Sequence, residues 1–385
     1  MMIEQLTADE LSALVGRVFQ PGPGDCGLAI LVDLPDDVVA DDPLWQARRR
    51  TAQEWAEQLD GRRDQLGFPT RLVLYRNVHT NNGDMPAAGW IHAGGALPDS
   101  ALGLDPAALV PFPAIYGEHS MLIALTRFSS TAPLKVAARR YPIRAATMPG
   151  FCAEMIPALR LDYSEVNRRV LILKELLDRA SGAELRFRHP GGEAALHLDL
   201  RHRSAHASGG LLPSPGVAGN LPSGEAYIVP YEGELAGAPS RSEGLLPVQF
   251  GAEVVLYPIH GNVATGTLPG GPEAAREAAL LAAEPAYGNL AELGLGVLAA
   301  FGVKPIGAVL LDEKLGLHVA FGRSEHFGGQ VGPERFSGPE QVVHIDRVYV
   351  PETQPLVQVL ALDLVMEEGV ALPLMRDGGY VSGLF

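Results

Sequence analysis

The sequence predicts an α/β N-terminal domain, residues 1–185, with an open, mainly parallel sheet, and an α+β C-terminal domain, residues 186–385, with a curved, largely antiparallel sheet. Three observations carry this reading. The chain has 385 residues, more than one core usually holds. Through its first half, apolar strand-like runs alternate with helix-like spacing, the pattern of a parallel sheet covered on both faces. Thereafter helical periodicity mostly disappears, and short strands between Gly/Pro turns take over.

The elements follow in order. MMIEQLTADELSALVGRVF opens the chain as a capped amphipathic helix. GLAILVDL (27–34) is a strand, residues 42–67 form a long helical stretch, and TRLVLYRNV (70–78) is the next strand. HSMLIALTRF (119–128) and RAATMPG (144–150) continue the sheet, and YSEVNRRVLILKELLDRA (163–180) closes the half with helical spacing. In the second half, HPGGEAAL joins two strands of a hairpin within residues 183–203. Residues 225–233, 246–270, 308–322 and 341–350 supply further strands, and one clear helix lies within 269–296, ending before Tyr287 and Gly288.

Composition removes several function classes. A net charge of -15 leaves no basic surplus for nucleic acid or an anionic membrane. Apolar runs are broken by charge, Gly or Pro well short of the roughly 20 residues that span a bilayer. The start is acidic where a secretory leader would be basic, and the only two cysteines, Cys26 and Cys152, form no metal or redox pair. A cytoplasmic protein is expected. The Gly-rich pieces PGPGDCG (21–27) and HAGGALPDS (92–100) match neither dinucleotide nor phosphate loops and read as turns, and His79 reads as a loop histidine.

The second half carries a polarity conflict. In VVHIDRVYV (342–350), strand alternation places His344 and Asp346 on one side of an otherwise apolar run. An ionisable pair on a buried face needs partners. Glu225 follows the turn Pro222-Ser223-Gly224, Glu292 is the one charge in NLAELGLGV, and His318 interrupts LGLHVAF. Three carboxylates and two imidazoles suit two divalent cations about 3.5–4 Å apart that share a carboxylate. Zinc fits this mixed set, and cobalt or manganese also accept it. Spacing leaves a structural alternative open: turn acids at Glu225 and Glu292, a core-edge histidine at His318, and Asp346 paired with Arg347 or Arg323.

PGGEAALHLDLRHR (190–203), GNLPSGEAYIVPYEG (219–233), NLAELGLG (289–296), LLDEKLGLHVAFGRS (310–324) and HIDRV (344–348) together resemble the thermophilic-metallopeptidase family of aminopeptidases. The N-terminal half shares only a compatible α/β plan. The resemblance implies that Glu225, Glu292, His318, His344 and Asp346 are metal ligands, with Glu292 bridging, and that Glu313 lies near the metals. It also implies a homodimer. One departure stands out: the family commonly has a tyrosine after GRS, where this chain has Glu325 and His326.

The expected reaction is release of N-terminal amino acids from short peptides by a water activated between two divalent ions, expected to be zinc. Glu313 is the expected general base and His326 an expected catalytic residue, with Tyr227, Arg323 or His326 stabilising the oxyanion. The altered GRSEHF segment keeps two alternatives: a binuclear hydrolase of a small amide or amino-acid conjugate, and a noncatalytic, metal-stabilised interaction protein.

Overall fold

A computed structural model describes residues 4–366 and 369–385. The chain forms two compact units, one of residues up to Glu165 with Gly210–Ser223, the other of Val166–Gly209 with Gly224–Phe385. The strands are β1 (Leu28–Leu34), β2 (Thr70–Arg76), β3 (Ala88–Ile91), β4 (Val110–Pro111), β5 (Met121–Ala124), β6 (Arg144–Thr147), β7 (Ala180–His189), β8 (Gly192–Asp199), β9 (His206–Ser208) and β10 (Val217–Asn220). They continue with β11 (Glu225–Ile228), β12 (Glu243–Phe250), β13 (Glu253–His260), β14 (Val263–Ala264), β15 (Leu290–Gly296), β16 (Leu317–Gly322), β17 (His344–Val348), β18 (Gln358–Met366), β19 (Ala371–Arg376) and β20 (Gly379–Tyr380). Residue 185 therefore falls inside β7.

The first unit is the expected α/β sheet, ordered β10-β6-β5-β1-β2-β3-β4. Pairing is parallel from β10 to β2 and antiparallel at the β3 and β4 edge. β1 is buried along its whole length, as a parallel strand covered on both faces must be, which explains its unbroken apolar run. Its one charge, Asp33, accepts hydrogen bonds from Trp45 Nε1 (2.9 Å) and the Arg127 and Phe128 amides (2.8 and 3.0 Å). The helix Ala8–Phe19 starts with a capping box between Thr7 and Glu10. Among the described residues no helix is long and apolar enough to cross a membrane.

Arg144, at the start of β6, grips both oxygens of Asp25 at 2.7 and 2.8 Å. The Arg144 hydrogen bonds hold the Asp25 carboxyl at about 2, outweighing the upward push of its burial. A carboxylate depressed in the folded state stabilises above its unfolded value and loses that contribution as pH falls through the folded one. The pair is thus expected to contribute about 2 kcal/mol near neutrality, lost between about pH 4 and pH 2. Urea denaturation of the protein and of Asp25→Asn across that range measures it; identical acid profiles would refute the assignment.

The second unit is antiparallel, with its strands divided between two sheets. One has five strands, ordered β17-β16-β15-β11-β9, and the other eight, ordered β14-β13-β12-β8-β7-β18-β19-β20. The expected hairpin joins β7 to β8 through Pro190 and Gly191. Most of the helix Tyr163–Asp178 belongs to this unit, and the expected helix, Pro272–Ala283, is held at its start by Glu253, which accepts from the Gly271, Glu273 and Ala274 amides. The five-stranded sheet carries the candidate site.

Candidate metal centre

The register of that sheet gathers the predicted residues on one face. Glu225 and Tyr227 of β11 lie opposite Gly296 and Gly294 of β15. Gly294 pairs with His318 in β16, and Glu292 pairs with Ala320. Ala320 and Gly322 in turn pair with Asp346 and His344 of β17. A register shift between Leu290 and Glu292 inserts one residue into β15, and such a bulge re-aims the side chain that follows it. Here that side chain is Glu292.

Five side chains meet there. Glu292 Oε1 lies 3.1 Å from His318 Nε2, and its Oε2 lies 3.3 Å from His344 Nε2. Glu225 Oε2 is 3.6 Å from His318 Nε2, and Asp346 Oδ1 is 3.5 Å from His344 Nε2. The atoms form two triads with metal-ligand spacing, Glu225–Glu292–His318 and Glu292–His344–Asp346, sharing Glu292. Each imidazole turns its other nitrogen to a backbone carbonyl, His318 Nδ1 to Gly316 (3.3 Å) and His344 Nδ1 to Arg323 (2.8 Å). That arrangement fixes Nε2 as the inward, ligand-type atom. Arg347 bonds instead to the Tyr287 hydroxyl and Arg323 to Glu325, so neither supplies Asp346 with the arginine partner the structural alternative required.

Two carboxylate oxygens test whether cations fit. Glu225 Oε2 and Asp346 Oδ1 are buried without a hydrogen-bond partner, one in each triad. A buried carboxylate oxygen left unpaired is costly. Oxygen and imidazole donors converging on the same space are what a divalent cation satisfies, so the residues present fit.

Lys314 is a residue that sequence reasoning missed. It is fully buried, and its ammonium reaches Glu225 Oε1 at 2.5 Å and also Glu313. Holding Oε1 leaves Oε2 of Glu225 as the oxygen that faces His318. Nothing in LLDEKLGLHV signals this contact.

Protonation reflects the crowding of acids. Burial pulls the His318 imidazolium down, but Glu292, Glu225 and Asp346 outweigh it and push it up to about 9. His344 is likewise raised, by Asp346 and Glu292 against its burial. Burial pushes Glu292 up, and the two imidazoles overcome this and hold it at about 2. Glu313 behaves oppositely: burial, then repulsion from Glu225 and Asp346, lifts it to about 8 despite Lys314.

Glu313 and His326 lie beside the five-residue cluster, outside either triad. The His326 ring rests on Phe327 (3.8 Å between centroids) and stands 5.4 Å from the His344 ring. Burial and the nearby His344 charge pull it down to about 4, so it is neutral near pH 7. Its loop is closed at the neck by bonds from the Ser324 and Glu325 amides to the Val331 carbonyl. Glu232 clamps that neck, accepting from Ser324 Oγ (2.5 Å), Asn289 Nδ2 (2.7 Å) and the Gln330 amide. Nothing in YEG signals this role, because every partner is distant in sequence.

No family model matches the chain, and no curated protein matches it by sequence. Solved structures do share its fold. A 2,5-dihydroxypyridine dioxygenase from Pseudomonas putida KT2440 superposes with a TM-score of 0.60 at 17% identity, over 98% of each chain. The aminopeptidase AmpT from Thermus thermophilus gives a TM-score of 0.52 at 16% identity, over 97% of this chain and 98% of its own. These likenesses establish a shared fold, and one of them is to a protein of the kind the sequence motifs resemble.

Proposed function

We propose that this protein is a metal-dependent aminopeptidase that releases N-terminal amino acids from short peptides. The observation that carries the proposal is the pair of ligand triads joined at Glu292, each with one orphaned carboxylate oxygen. Glu225, Glu292 and His318 would hold one cation, and Glu292, His344 and Asp346 the other. Bound divalent cations at such a site polarise a carbonyl and acidify water.

The chain's own residues supply the rest. Glu313, beside the cluster and held by the Lys314 ammonium, would as a carboxylate accept a proton from water and return it to a leaving amine. Lys314 keeps Glu313 and Glu225 in place through its two contacts. Glu313→Gln is expected to retain bound metal and to lower turnover by about 10²–10⁴-fold. Metal analysis beside the kinetics checks this, and metal lost in step with activity would make Glu313 a ligand instead.

Anomalous scattering from zinc- or manganese-loaded crystals, with a panel of aminoacyl anilides and short peptides, tests the whole reading. Two scattering peaks and cleavage that requires a free amine support it. Two peaks with no cleavage across the panel would favour a small amide or amino-acid conjugate as substrate.

A second reading is favoured by the dioxygenase likeness and by the donors around Glu292. Glu292 with His318 and His344, which it reaches at 3.1 and 3.3 Å, offers the two imidazoles and one carboxylate that suit a single ferrous ion. Oxygen uptake with hydroxylated pyridines by a protein holding one iron would establish this reading over the first.

A further inference from the structure

Three side chains were candidates for the donor that stabilises charge on the substrate carbonyl, and the structure separates them. Arg323 spends its guanidinium on Glu325, with Nε and NH2 contacts of 2.7 and 2.5 Å. His326 lies against Phe327 with Nδ1 3.5 Å from Glu325 Oε2. Tyr227 differs from both.

Tyr227 follows Glu225 by two residues on β11, so both side chains leave the same face of the sheet. Its strand neighbours in register are Gly294 on β15 and His206 on β9. The His318 ring lies over Gly294, which places the ligand cluster beside the tyrosine. Its own ring is held between the His206 imidazole, stacked at 5.1 Å, and the edge of Phe327 at 4.9 Å. The side chain is only 8% exposed, yet among the described residues no hydrogen bond uses its hydroxyl. The ring is buried, but the hydroxyl oxygen is not sealed from solvent. An ordered ring with an uncommitted hydroxyl beside a ligand cluster is built to donate to something that arrives from outside the chain.

We infer that Tyr227 is a catalytic residue, whose hydroxyl donates a hydrogen bond to the carbonyl oxygen of the scissile amide as charge develops there; this rests on the hydrolase reading above. As the water oxygen bonds to the carbonyl carbon, the π pair moves onto the carbonyl oxygen and the water proton passes to Glu313. Tyr227 supports that oxygen and keeps its own proton. When the pair returns, the C–N bond breaks, and the proton on Glu313 goes to the amine.

The test uses metal-loaded full-length protein and Tyr227→Phe, which removes one oxygen and leaves the stacked ring. Three quantities are measured: bound metal by titration calorimetry, kcat and KM on an aminoacyl anilide, and affinity for two ligands. The ligands are an α-aminoalkylphosphonate, which mimics the tetrahedral oxygens, and the free amino acid. Expected are unchanged metal content, kcat lower by about 10²–10³-fold with little change in KM, and phosphonate binding weakened by at least about tenfold with amino-acid binding preserved. Unchanged kcat and phosphonate affinity would overturn the Tyr227 role alone. Loss of metal would also overturn it, by making the hydroxyl a support for the ligands. A wild-type protein that binds metal but neither cleaves the anilide nor binds the phosphonate would overturn the hydrolase reading and this role with it.

Discussion

Glu292→Gln is expected to reduce bound divalent metal from two ions to at most one and to lower turnover by roughly 10³-fold or more. Glu292 is the one residue common to both triads, with a different oxygen turned toward each imidazole, at 3.1 and 3.3 Å. An amide of the same shape keeps one acceptor oxygen but sets an NH2 group where the second oxygen stood. That group cannot ligate a cation, and it removes one of the charges that hold the imidazoles and any ion in place. Because Gln matches Glu in volume, the buried strand should keep its packing. Metal content after dialysis, read beside turnover and near-UV circular dichroism, decides the matter. A folded Glu292→Gln protein that still held two ions would show that the carboxylate does not bridge.

The split between what the sequence showed and what it hid follows the range of the interactions. β1 and β2 were legible because strands covered on both faces leave continuous apolar runs, as LAILVDL does. His344 and Asp346 were legible as a pair because strand alternation is local, and the register with Gly322 and Ala320 shows them on one face. The bulge before Glu292 was not legible, since it exists only in the pairing of β15 with β16. The division of the antiparallel strands between two sheets depends equally on partners remote in sequence. Glu232 was hidden for the same reason, its contacts being with Asn289, Ser324 and Gln330. Lys314 was hidden too, because its meaning lies in the contact with Glu225, far away in the chain. GRSEHF looked like a loss of a hydroxyl donor, whereas Tyr227 offers an uncommitted hydroxyl from another strand of the same sheet.

Gly294→Ala is expected to remove one ion while sparing the other. An alanine Cβ at this position would lie 1.9 Å from His318 Nε2 and 2.1 Å from its Cε1, far inside van der Waals contact. One side must yield. The backbone of β15 is paired on both sides, with β11 and β16, and all of its residues are buried, so it resists movement. His318 is fully buried and has no open solvent into which its ring can turn. Displacing the ring takes Nε2 away from Glu225 and Glu292 and dismantles their triad, at a folding cost of about 1–3 kcal/mol. Glu292, His344 and Asp346 do not depend on that space, and their triad should survive. Metal analysis should therefore find one ion, with turnover down by at least about 10²-fold. Two ions and full turnover would mean that the imidazole does not lie over residue 294. Together with Glu292→Gln, this variant separates a shared ligand from a ligand of one site: the first change touches both triads, and the second reaches only the triad whose histidine needs a glycine beneath it.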